Sequence, residues 1–111
     1  MKNVMMIGGQ QAVINYDPDI EMFRGEFIGL NSGADFYACD VAGLRREGEA
    51  SLAAFMDECV KRGIEPRKTF SGKLLLRLNP EMHQAAAVAA AANGESLNQW
   101  VIGAIKEAAY S

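Results

Sequence analysis

Apolar residues recur along this chain with two periods, and the switch from one to the other divides it. Near the start the period is two, the spacing of a strand that shows one face to a core. Met5-Met6-Ile7 is a short apolar run stopped by Gly8-Gly9, room for a short opening strand at most. Gln11 to Tyr16 reads as a strand closed by the turn Asp17-Pro18-Asp19, and Glu21 to Leu30 as the returning strand. Asn31-Ser32-Gly33 is a second turn, with Ala34 to Cys39 a third strand. Asp40 then suits an N-cap, and Leu44, Leu52, Phe55, Met56, Cys59 and Val60 fall at helical spacing, predicting a helix to about Arg62 that covers the sheet. Gly48 interrupts it at a cost of roughly 1 kcal/mol against alanine, which leaves room for a bend there. Gly63 ends the helix, and Ile64 to Thr69, with Pro66, reads as a connector. The expectation is an antiparallel β-β-β-α domain over 1–65, a linker over 66–70 and a second domain over 71–111.

The second domain opens with Lys73-Leu74-Leu75-Leu76-Arg77-Leu78, too short for a helix before Pro80. As a strand it places Leu74, Leu76 and Leu78 on one face and Lys73, Leu75 and Arg77 on the other. Asn79 precedes a proline and suits an N-cap, with Pro80 in the first helical position. A helix follows through Met82, Val88 and an alanine tract, ending at Asn93-Gly94. The alanines need no special explanation, since alanine is the best helix former. Ser96 caps a further helix, Gln99 completes a capping box, and Leu97, Trp100, Val101, Ala104, Ile105 and Ala108 make a buried stripe.

A lone strand leaves its backbone donors and acceptors unpaired, and nothing else in this half can supply a ladder. A second copy, antiparallel about a two-fold axis, can. The paired strands would bury six leucines, each contributing roughly 1.5–3 kcal/mol, over the helices. Leu74, Leu76, Leu78, Trp100 and Val101 are therefore the expected dimer core. Lys73, Leu75 and Arg77 would stand twice on the opposite face of a ribbon that fits a B-DNA major groove. The second helix, entered through Ser96 and Asn98, would direct free N–H groups toward a phosphate. Two solvated charges guarding an edge strand would look similar, and Leu75 is unusual on a base-reading face.

The words that carry this pattern, Phe70-Ser71-Gly72-Lys73-Leu74-Leu75-Leu76-Arg77-Leu78-Asn79-Pro80-Glu81-Met82-His83 and Gly94-Glu95-Ser96-Leu97-Asn98-Gln99-Trp100, resemble the ribbon-helix-helix domain of HicB-family antitoxins. Tyr16-Asp17-Pro18, Phe27-Ile28-Gly29-Leu30 and Ser51-Leu52-Ala53-Ala54-Phe55 are similar, more loosely, to that family's N-terminal half, a cut-down RNase H-like domain. The resemblance implies an α+β chain with two tasks. The N-terminal domain would dock on a HicA-like mRNA-cleaving toxin and block it. The C-terminal domain would dimerise, bind operator DNA and repress the operon, with the pairing of dimers into tetramers left open.

Net charge first looks wrong for this, at −3 over 111 residues. The halves differ, however: residues 1–65 carry six basic and eleven acidic side chains, and residues 66–111 five basic and three acidic. An acidic half suits a toxin that must hold RNA, and a mildly basic half suits DNA. Half the residues are hydrophobic, enough for a core, and no apolar run approaches the length of a membrane span. The start Met1-Lys2-Asn3-Val4 lacks a signal-peptide core, and Cys39 and Cys59 have no CxxC spacing, so free thiols in a reducing cytoplasm are expected.

Chemistry is thinly represented. A two-metal nuclease would need converging acids, and Asp17, Asp19, Glu26, Asp35 and Asp40 qualify by type alone. Asp17 and Asp19 flank a turn, and Asp40 is better used as a cap. His83 is the sole histidine, so no Cys–His dyad or metal set assembles, and it suits an exposed place in the first turn of its helix. Cys59 and Trp100 fit apolar stripes better than reactive or base-stacking roles. No enzyme activity, metal or cofactor is expected. The competing reading is a toxin-independent ribbon-helix-helix regulator whose acidic domain senses a ligand or oligomerises.

Overall fold

The computed structural model describes residues 2–31 and 33–111, so Ser32 of the expected second turn lies outside the described residues. The chain is α+β, a four-stranded antiparallel sheet followed by three helices. It divides into two compact units, Lys2–Phe70 and Ser71–Ser111.

The first unit has one strand more than the expected three. β1 (Val4–Ile7), β2 (Gln10–Asp17), β3 (Met22–Phe27) and β4 (Asp35–Ala38) pair in chain order. The opening run is a full edge strand because Gly8 and Gly9, both at positive φ, turn it tightly back so that Ile7 pairs with Gln10. Register sets Ala12 opposite Phe27, Gly25 opposite Phe36 and Phe23 opposite Ala38. Alternation then gives one face to a core of Ile7, Ala12, Phe27, Leu30, Phe36 and Ala38. The Asp17 carboxylate accepts from the Asp19 N–H at 3.0 Å and closes the β2–β3 turn.

Helix α1 (Val41–Arg62) covers that face. Asp40 caps it, accepting from the Gly43 N–H at 2.6 Å, and Gly63 closes it in the left-handed region at φ 65°. Leu44, Leu52 and Cys59 are buried, with Phe55 and Met56 packed at the margin. Two expectations for α1 need correction. Val60 is outside the stripe, 81% exposed, because it lies about 100° round the axis from Cys59. Gly48 does not interrupt the helix, which is continuous over 22 residues. A Cβ there would come within 2.5 Å of Ile7 Cδ1 and 3.1 Å of the Phe36 ring, so the missing side chain lets helix meet sheet.

The connector is likewise more ordered than its composition implies. Leu30 and Arg67 form an antiparallel bridge, flanked by Asn31 N–H to the Pro66 carbonyl and Lys68 N–H to the Gly29 carbonyl, each 2.9 Å. The Asn31 amide donates to the carbonyls of Glu65 at 2.6 Å and Arg67 at 3.1 Å. Gln10, largely buried, turns its amide oxygen to the Arg67 guanidinium, with Nε at 2.8 Å. Residues 65–68 are thus clasped to the end of the sheet.

The second unit is a helix pair. α2 (Pro80–Ala92) is capped by Asn79, which accepts from the Met82 N–H at 2.8 Å. It stops at Gly94, φ 68°, where the Glu95 N–H returns to the Ala90 carbonyl. α3 (Leu97–Ala109) is capped by Ser96, accepting from the Gln99 N–H at 3.1 Å. The expected strand over Lys73–Leu78 does not form in the single chain. No strand among the described residues pairs with it, and every residue from Ser71 to Pro80 is exposed. A segment with nothing to complete a ladder has no reason to become a strand.

Candidate functional site

Three apolar elements of the second unit converge without closing. Ala86 and Ala90 are buried where α2 meets α3, whereas α3 has no buried residue. Its intended stripe is open: Leu97, Trp100 and Val101 are half-buried, and Ile105 is exposed. Leu76 and Leu78, 50% and 44% exposed, join Met82, Trp100, Val101 and Ile105 around an apolar groove of about 510 Å³. A smaller hollow beside it, about 190 Å³, lies between Leu76, Leu78, Leu97 and Val101, with His83 on its rim. Of the five expected dimer-core residues, four line the groove, and Leu74, 72% exposed, does not. An apolar surface of this extent marks an interface rather than a finished core.

Lys73, Leu75 and Arg77 are solvent-exposed on the segment that leads into α2. Ser71 fixes the approach, its Oγ accepting from the Lys73 N–H at 3.1 Å. Ser96 and Asn98 stand at the start of α3. The Ser96 hydroxyl is engaged by Gln99 and its carbonyl by the Trp100 N–H, which leaves the Leu97 and Asn98 N–H groups as the helix's outward donors. The backbone start of α3, more than the Ser96 side chain, is therefore what can meet an anion. Met82, Ala86 and Ile105 are groove residues beyond the five expected. The signal for Met82 and Ala86 was the helical spacing 82–86–89, hidden in the alanine tract, whereas Ile105 already belonged to the expected stripe of α3.

In the first unit most of the candidate acids are engaged in local contacts. Asp40 caps α1 and Asp17 closes a turn. Asp35 accepts from Arg24 Nε at 3.1 Å, and Glu26 lies 3.7 Å from the same guanidinium. Those contacts, the Asp35 hydrogen bond foremost, push the Arg24 guanidinium further above its ordinary value. Among the described residues no three His, Cys, Asp or Glu side chains gather in a metal-holding group. Cys39 is exposed and Cys59 buried, both as free thiols. No helix among the described residues is long and apolar enough to cross a membrane.

A model of the HicB family matches residues 55–105, from the last turns of α1 through most of α3. Over that span the chain is similar to HicB-family proteins. The likeness points to a toxin–antitoxin-related protein, and the matched span takes in the clasped connector, the segment before α2 and the open groove. No similar curated protein and no similar solved structure was found.

Proposed function

We propose that this chain is a HicB-family antitoxin with two binding surfaces and no catalysis of its own. The Lys2–Phe70 unit silences a HicA-like, RNA-cleaving toxin. The Ser71–Ser111 unit pairs with a second copy and holds operator DNA, so that the protein represses its own operon. One observation carries the reading: a capped helix pair with its apolar side open, preceded by an exposed segment, Lys73–Leu78, that lacks a ladder. A second copy remedies both defects at once. Two Lys73–Leu78 segments running antiparallel satisfy each other's backbone groups and lay Leu74, Leu76 and Leu78 over both grooves.

The same pairing turns Lys73, Leu75 and Arg77 outward in duplicate, a basic ridge of major-groove width. The α3 N-termini on either side are placed to take phosphates. Against a nuclease stands the employment of Asp17, Asp35 and Asp40 in a turn, an ion pair and a cap. The test is co-expression with a HicA-family toxin. The full chain should relieve growth arrest and co-purify with the toxin, and a chain ending at Phe70 should still bind toxin while losing operator DNA. Failure of the full chain to relieve arrest would leave a toxin-independent regulator as the better account.

A further inference from the structure

The first unit has two broad faces, and their charges differ. On α1, Arg45, Arg46, Lys61 and Arg62 match Glu47, Glu49, Asp57 and Glu58 one for one. Two of these pairs are made within the helix, Lys61–Asp57 at 3.1 Å and Arg62–Glu58 at 2.7 Å. That face is electrically self-contained. The sheet face turned away from α1 is set by the register: Val4 beside Val13, Val13 beside Glu26, Glu26 beside Asp35, and Arg24 beside Tyr37. Its strands show three acids, Asp17, Glu26 and Asp35, against Arg24, with Lys68 of the connector lining a hollow beside Glu26, and the β2–β3 turn adds Asp19 and Glu21. Beside the acids lie apolar side chains without cover: Met6 is 55% exposed, Ile28 45% and Tyr37 41%.

We infer that the outer face of the β1–β4 sheet, and not the α1 face, is where this chain docks a basic partner protein, namely the toxin of the reading above, on which the inference rests. An RNA-cleaving partner must present Lys and Arg to hold phosphates, and this face offers a surplus of carboxylates over its arginine, around an apolar and aromatic patch. A second copy is a poor occupant. A two-fold contact sets a patch against itself, and here it would oppose like charges. Nucleic acid is repelled by the same carboxylates.

The test uses the full-length protein and a catalytically inactive HicA-family toxin, with binding measured by calorimetry at two salt concentrations. E26K and Y37K, combined in one chain, should weaken toxin binding at least tenfold and reduce its salt dependence. E49K with D57K, on α1, should change it by less than about threefold. Unfolding midpoint and operator affinity, measured on both variants, report whether the fold persists. If Y37K destabilises the chain, E26Q alone should still reduce the salt dependence. Binding that survives the sheet changes but is lost with the α1 changes overturns the assignment. If the unaltered protein binds no toxin, the antitoxin reading falls first and takes this inference with it.

Discussion

Arg77 is the residue on which the proposed DNA binding turns. It has no acidic partner on its own segment, stands exposed, and would appear twice in a paired ribbon. Arg77→Ala should weaken operator binding by about 1–3 kcal/mol per lost contact and flatten the slope of log affinity against log salt. Toxin affinity should be unchanged in the same preparation; equal loss of both would merge the two surfaces this account keeps apart. Gly25 makes the opposite kind of prediction, one about the fold alone. A Cβ there would lie 2.1 Å from the Phe36 ring, which is buried and packed against the Phe27 ring. Gly25→Ala should cost about 1–3 kcal/mol in urea denaturation, the usual penalty for overpacking. Nothing in the composition separates this glycine from Gly29 or Gly33, which meet no such obstruction, because the close approach exists only once β3 and β4 are in register.

Among the elements, the helices were the most legible. Asp40, Asn79 and Ser96 were read as caps from residue type and position, and each accepts from the N–H three residues on. Capping is local chemistry, needing no knowledge of the rest of the chain. Asn79→Ala should therefore destabilise α2 by about 1 kcal/mol, read as loss of helical circular dichroism at a lower temperature. Strands were less legible. β1 has four residues and pairs only with β2, so its existence depends on the tight Gly8-Gly9 return rather than on its own pattern. The Arg67 clasp escaped notice for a similar reason. Its partners, Gln10 and Asn31, are remote in sequence, and Pro66 made the segment look like a spacer.

For the whole molecule, the question is how the second unit completes its core. If a second copy does so, folding and association are linked, and the unfolding temperature must rise with protein concentration. Thermal scans between about 1 and 100 μM, beside sedimentation equilibrium, should show this for the unaltered chain. Leu76→Ala with Leu78→Ala should abolish the concentration dependence and yield a monomer that has lost operator binding. A monomer in the unaltered chain, with Lys73–Leu78 still unpaired, would remove the ridge and the repressor with it. The first unit has its own core and should retain its fold either way.

The sequence by itself determined the helices, their caps, the α+β class and the division of acidic from basic halves. All of these follow from periodicity, local hydrogen bonding and composition, which involve neighbours within a few positions. Tertiary structure alone decided the fourth strand, the passage of α1 over the sheet at Gly48, the clasp of Arg67 on Gln10 and Asn31, and the uncovered groove beneath Leu76 and Leu78. Each depends on which distant residues end up adjacent, a matter of register and packing that no local pattern contains. Lys73–Leu78 lies at the boundary between the two. Its alternation is written in the sequence, but a strand is a relation between two backbones, and one chain supplies only the first.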